Sequence, residues 1–286
     1  ALGAAHRALD DAQVDPAELD DIRVGVNTWL RFPSLATQLQ DRLGSPRASA
    51  ADVSAGCAGF IYAVEEAHNR MIVEKLRYKR STTALVVGVD GLSHITDWTD
   101  RQTCVLLGDG AGAVVLKEVA SGGILATHTH ADGCYGDMLW SDPVLLSQVN
   151  GSPQGFSREE TGPRAYLHMD GRKVYNVAVE TMVRDVHTVI AKYNAASGES
   201  LTLEDIDYVY PHQANLRIVE MVGRRLRLPA EKVYASGVVE YGNTSTASIP
   251  IGYVDNRERF RDRTGQLEID VAFGAGFASG AILRRL

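Results

Sequence analysis

The segment Thr83-Ala84-Leu85-Val86-Val87-Gly88-Val89 most restricts what this chain can become. It is a nearly unbroken apolar run, too short for a buried helix and rich in β-branched residues. It reads as a strand covered on both faces. Further strand signals recur at Ile22–Asn27, Ser49–Val53, Ala111–Lys117, Gly123–His130, Ile206–Tyr210, Val233–Ala235, Leu267–Phe273 and Ala278–Leu283. Between them lie helical patterns at 2–14, Ser34–Leu43, Ala58–Val73, Lys173–Tyr193 and Asn215–Leu226. Strands alternating with helices predict an α/β fold with mostly parallel pairing. With 286 residues the chain is long enough for one large domain or two fused ones. The segment from Gly136 to Ala165 lacks periodicity and is rich in glycine and proline, which marks a long loop of functional or merely connecting character.

Within that frame Cys57 stands out, because it directly precedes the helical run that begins at Ala58. A thiol there faces unpaired backbone N–H groups and the positive end of a helix dipole, both of which favour the thiolate. A small buried core cysteine would look the same in isolation. Two further segments change the balance. One is Pro211-His212-Gln213-Ala214-Asn215; the other is Gly242-Asn243-Thr244-Ser245. Cysteine, histidine and asparagine distant in sequence can assemble into one acyl-transfer site. Read alone, Asn215 suits a helix cap and Asn243 a turn.

These stretches, with Gly56-Cys57-Ala58-Gly59-Phe60, Leu107-Gly108-Asp109-Gly110-Ala111-Gly112-Ala113, His130-Ala131-Asp132-Gly133 and Phe273-Gly274-Ala275-Gly276-Phe277, run in a fixed order along the chain. In that order they resemble the β-ketoacyl-acyl-carrier-protein synthase III group of condensing enzymes in the thiolase superfamily. The resemblance implies a thiolase-like αβαβα layered sandwich whose N-terminal half is apparently truncated, lacking the family's first strand. It implies an N-terminal half over 1–120 carrying the nucleophile, a connecting segment and acyl-pocket loop over 121–165, and a C-terminal half over 166–286 carrying the histidine and asparagine. It also implies roles. Cys57 is the nucleophile, and His212 and Asn243 polarise a malonyl thioester carbonyl. The backbone N–H groups of Cys57 and Ala275 form the oxyanion hole. Phe32, Arg172, Tyr175 and Asn215 contact substrate, Phe32 by reaching across a homodimer interface. Arg217, Arg224 and Arg225, spaced along one helix face, suit an acidic acyl carrier protein.

The implied reaction is decarboxylative Claisen condensation of a Cys57-bound acyl group, taken from acyl-coenzyme A, with malonyl-acyl carrier protein. It belongs to fatty-acid initiation or a related secondary pathway. The alternatives are transfer of that acyl group to another nucleophile, or acyl binding without condensation. A thiolase would need a second cysteine where Ala275 and Ala278 stand, and a papain-type protease would need a Cys-Gly-Ser-Cys-Trp signature. Gly274-Ala275-Gly276 lacks the third glycine and downstream acid of a dinucleotide site. His128, His130, Asp132 and Cys134 have suggestive spacing for a metal, but the resembled family carries a similar run without one. No metal or cofactor is expected beyond the thioester substrates.

Bulk properties agree. A formal net charge of −7 argues against nucleic-acid binding, and three cysteines make an odd count without paired spacing. No apolar stretch reaches the ~18 residues of a membrane span, and Ala1–Arg7 lacks the basic start of a signal peptide. No membrane partner and a reducing cytoplasmic setting are therefore expected.

Overall fold

The structure, a computed structural model, describes residues 1–142, 165–257 and 264–286. Its strands are β1 (Asp21–Gly25), β2 (Ser49–Val53), β3 (Ala84–Asp90), β4 (Gly110–Leu116), β5 (Gly123–His130), β6 (Leu139–Ser141), β7 (Leu167–Met169), β8 (Tyr208–Pro211), β9 (Leu267–Phe273) and β10 (Ser279–Arg285). Its α-helices are α1 (Leu2–Ala12), α2 (Leu35–Leu43), α3 (Gly59–Tyr78), α4 (Gly171–Ser197), α5 (Leu216–Arg225), α6 (Ser236–Tyr241) and α7 (Ser248–Asp255).

Two four-stranded sheets, ordered β2-β1-β3-β4 and β5-β10-β9-β8, form the frame. Helices α1 and α2 cover the outer face of the first sheet, burying Ala5, Leu9, Ala36 and Leu39 against Ile22, Val24, Leu85 and Val87. Helices α4 and α5 cover the outer face of the second, with Met182, Val186 and Ile218 packed on Ile269 and Val271. Helices α3 and α7 lie between the sheets, where Phe60, Ile61, Val64 and Ile249 meet Val86, Tyr210, Ala272 and Ile282. The layers are thus helix, sheet, helix, sheet, helix, as the thiolase-like expectation requires. Burial on both faces explains why β3 is apolar almost throughout.

The sheets repeat one pairing pattern. In the first, β1 pairs in parallel with β2 and β3, and β3 pairs antiparallel with β4. In the second, β8 bridges in parallel to Val233 and pairs in parallel with β9, and β9 pairs antiparallel with β10. The chain is an internal duplication in topology, a relationship its sequence did not reveal.

The expectation of mostly parallel pairing needs correcting, because β3–β4, β9–β10 and β5–β10 are antiparallel. The β9–β10 turn is only Gly274–Ala278, and so short a connection can only return the chain antiparallel. Val233–Ala235 makes a single bridge rather than a strand. Strand β5, from the 121–165 segment, is the edge strand of the second sheet. Residues 143–164 of the expected acyl-pocket loop lie outside the described residues. Helices α6 and α7 went unread in the sequence because Gly237, Pro250 and Gly252 break the helical pattern.

Candidate active site

Strand β2 delivers the chain to Cys57, which precedes the first turn of α3. The turn is pinned from behind by Asp90, at the buried end of β3. Its carboxylate accepts from the backbone N–H groups of Asn27 (2.8 Å) and Thr28 (3.0 Å), from Asn27 Nδ2 (3.0 Å) and from Thr246 Oγ1 (3.1 Å). Asn27 Nδ2 also donates to the Gly56 carbonyl at 3.0 Å. Asp90 therefore couples the loop after β1, the Cys57 turn and the turn after Asn243. Sequence reasoning missed it; an acid closing a buried apolar strand was the available signal.

The Gly274–Gly276 turn packs directly on Gly56 and Cys57. A Cβ on Gly56 would run into Ala275 N and stand 2.9 Å from the Gly274 carbonyl carbon, and Gly56 itself has φ +54°. Only glycine fits such a contact in that conformation. The approach sets the Gly56–Cys57 backbone directly against the Gly274–Ala275 backbone.

His212 follows β8, with its backbone N–H bonded to Val271 O at 2.7 Å. It is 1% exposed, its Nδ1 lies 2.8 Å from Ser248 Oγ, and its ring meets Phe273 edge-on at 6.0 Å. Burial pushes its pKa down to about 3, so the ring is neutral at neutral pH. Asn243 is held at both backbone ends: its N–H donates to Leu106 O (2.7 Å) and its carbonyl accepts from Gly108 N–H (2.9 Å). Its Oδ1 accepts from Ser245 N–H at 2.9 Å. That bond assigns the carboxamide orientation and leaves the Nδ2 protons for the cavity.

Cys57, His212, Asn243, Ser245 and Ala275 all line one cavity of about 740 Å³. The cavity is otherwise mostly apolar, with Leu139, Trp140, Leu167 and Met169 of the β6–β7 hairpin on one wall. Such a space suits an acyl chain and a flexible thioester arm.

The expectation of a resting Cys57 thiolate does not hold. Burial pushes the thiol up to about 12; the Ser245 Oγ hydrogen bond, at 3.4 Å, pulls the other way, and Asp90 adds to the rise. Helix α3 starts only at Gly59, so Cys57 gains less from its terminus than an N-cap residue would.

The remaining expected residues divide. Asn215 lines the cavity and also caps α5, its Oδ1 accepting from Ile218 N–H at 3.0 Å. Ser34 caps α2, and Phe32, in the preceding loop, is 99% exposed and outside this chain's cavity. Arg172 is exposed beside Gly171 at the rim, whereas Tyr175 packs on the C-terminal core and does not line the cavity. Arg217, Arg224 and Arg225 are exposed on α5, with Arg224 3.4 Å from Glu220. Asp132 accepts from Cys134 N–H, and His128 lies 3.6 Å from Asp185. Among the described residues no three His, Cys, Asp or Glu side chains converge to hold a metal. Nor is any described helix long and apolar enough to cross a membrane.

The sequence model of 3-oxoacyl-[acyl-carrier-protein] synthase III matches residues 51–133, and the model of its C-terminal region matches 197–286. A β-ketoacyl-[acyl-carrier-protein] synthase III from Xanthomonas campestris pv. campestris is 44% identical over 283 residues, covering 99% of this chain and 81% of its own. This chain belongs to the 3-oxoacyl-[acyl-carrier-protein] synthase III family.

The crystal structure of the synthase III from Aquifex aeolicus VF5 superimposes with a TM-score of 0.85 at 35% identity, covering 100% of this chain and 83% of that one. The priming β-ketosynthase of the R1128 polyketide pathway is also similar, with a TM-score of 0.83 at 30% identity over 100% of this chain and 80% of its own. In this synthase III-family chain Cys57 falls in the first matched region, and His212 and Asn243 fall in the second.

Proposed function

We propose that this protein catalyses decarboxylative condensation of an acyl group with a malonyl thioester, as a β-ketoacyl-acyl-carrier-protein synthase III. The observation that carries the reading is the convergence of Cys57, His212 and Asn243 on one cavity, with the Gly274–Gly276 turn against the Cys57 N–H.

In the first half-reaction Cys57 Sγ attacks the carbonyl carbon of acyl-coenzyme A. The oxygen becomes an oxyanion between the N–H groups of Cys57 and Ala275. Collapse expels the coenzyme A sulfur, which leaves with the proton that the Cys57 thiol gives up. Because Cys57 rests as a thiol, its deprotonation accompanies attack, with Ser245 Oγ–H stabilising charge on the sulfur.

In the second, malonyl-acyl carrier protein enters through its phosphopantetheine arm. Asn243 Nδ2–H and a ring N–H of His212 donate to its thioester carbonyl oxygen. Carbon dioxide departs, and its bonding electrons pass into the enolate that these donors stabilise. The enolate carbon attacks the Cys57-bound acyl carbonyl, and the cysteine sulfur leaves as a thiolate that a proton from water returns to the thiol. A neutral His212 suits this role, because it donates without requiring a protonated ring.

The same reading gives Asn215 a contact with the substrate arm, Arg172 a place near its channel, and exposed Phe32 a partner subunit to reach in a homodimer. It gives Arg217, Arg224 and Arg225 the acidic carrier protein as partner. It also treats 1–120 and 166–286 as the two thiolase-like halves joined by 121–165, in a cytoplasmic enzyme of fatty-acid initiation.

The test is intact-mass measurement after mixing the protein with a panel of acyl-coenzyme A thioesters, with Cys57→Ala in parallel. An acyl adduct on the wild type alone, chased to β-ketoacyl product by malonyl-acyl carrier protein, is expected. Acylation without condensation would instead make the protein an acyltransferase or acyl-binding relative.

A further inference from the structure

Ser248 is the first residue of α7 and is 3% exposed. Its Oγ lies 2.8 Å from His212 Nδ1 and accepts the backbone N–H of Gln213 at 3.3 Å. These contacts fix a proton. If Nδ1 carried the imidazole hydrogen, Ser248 Oγ would accept twice and its own proton would need another acceptor. Among the described residues no other acceptor lies within hydrogen-bond distance of that oxygen. A buried hydroxyl proton without a partner is strongly disfavoured. With the hydroxyl donating to Nδ1, all three groups are satisfied, and the imidazole hydrogen resides on Nε2.

We infer that Ser248 is a positioning residue that selects the Nε2–H tautomer of His212 and so makes its cavity-facing nitrogen a hydrogen-bond donor. The inference rests on the proposed condensation for its kinetic consequence but not for the tautomer itself. A group that orients a histidine and sets its tautomer can carry large kinetic weight; the aspartate of serine-protease triads does so, and also stabilises the imidazolium that forms. Here a turn that begins at Asn243 sets both donors. Ser245 N–H turns the Asn243 carboxamide, and Ser248 Oγ–H turns the electronic character of His212. Loss of the Ser248 hydroxyl frees the ring to place its hydrogen on Nδ1. Nε2 then presents a lone pair to the carbonyl oxygen it should stabilise. Acylation of Cys57 does not use that donor.

Nitrogen NMR of the full chain with ¹⁵N-labelled histidine at neutral pH reads the tautomer directly, with the His212 signal assigned by its loss in His212→Asn. Wild type is expected to show a protonated Nε2 and a bare Nδ1, and Ser248→Ala a mixture. Kinetically, Ser248→Ala is expected to lower malonyl decarboxylation about 10–100-fold in kcat with little change in KM. Cys57 acylation by acyl-coenzyme A should stay within about 3-fold by the same reasoning, and Ser248→Thr should recover most of the loss. A hydrogen on Nδ1 in the wild type overturns the assignment, whether or not the variant folds. Equal loss in both half-reactions, or an unchanged tautomer in Ser248→Ala, overturns it as well. A wild type that neither acylates nor decarboxylates would defeat the proposed function and leave the NMR result standing on its own.

Discussion

A Cβ placed on Gly274 would collide with the backbone nitrogen of Cys57 and stand 2.8 Å from the Gly56 carbonyl carbon. The two turns touch backbone to backbone, with no side chain between them. Gly274→Ala must push them apart and misplace both oxyanion donors. Loss of one such donor costs about 10²–10³ in rate, so acylation by acyl-coenzyme A should fall at least that far. A single-turnover acylation assay checks this; a rate within tenfold of wild type would separate the Gly274–Gly276 turn from the oxyanion.

Cys57 should behave as a thiol of raised pKa in the free enzyme. With its pKa pushed up to about 12, iodoacetamide alkylation at Cys57 is expected to climb through the alkaline range without levelling off near the ordinary thiol value. Ser245→Ala removes the hydroxyl that opposes the rise, and should slow alkylation further. Peptide mass mapping separates Cys57 from Cys104 and Cys134. A plateau near pH 7 would mean that the helix terminus does dominate.

His212 ties acid stability to burial. Its folded pKa, about 3, lies below the ordinary value of 6.5. Between those values the unfolded chain binds a proton that the folded chain refuses. Stability therefore falls as pH drops from 6.5 towards 3, by up to about 1.4 kcal/mol per pH unit, and His212 contributes no pH dependence above 6.5. Denaturant melts of wild type and His212→Asn at pH 7 and pH 5 should show a smaller loss in the variant. Decarboxylation by the wild type should show no acid limb near 6.5 from this residue.

Asn215 has two duties that substitution separates. Asn215→Ala removes the cap of α5 and should cost about 1 kcal/mol, whereas Asn215→Ser keeps a capping oxygen and loses the amide N–H₂. If Asn215 also contacts the substrate arm, Asn215→Ser should raise KM for the thioester while leaving the melt nearly unchanged. Unchanged kinetics in Asn215→Ser would reduce the residue to a cap.

Much of this was legible in order alone. The apolar run before Asp90 and the helical pattern that opens at Ser34 are local signals. They appear because side-chain periodicity and backbone hydrogen bonding act over a few residues. The matched motifs also drew attention to Cys57, His212 and Asn243 before any coordinate. The exposure of Phe32 and the core packing of Tyr175 were not readable, since burial depends on what the rest of the chain brings alongside.

The sequence by itself determined the α/β alternation and the family to which its nucleophile turn belongs, because these reside in short contiguous patterns. Tertiary structure alone decided how the site works. The thiol state of Cys57 depends on desolvation and on Asp90 and Ser245, and the donor character of His212 depends on Ser248. The position of the Cys57 N–H depends on Gly274 pressing on it. Each is a contact between residues far apart in the chain, with energy set by distance and burial, and none is encoded in local spacing.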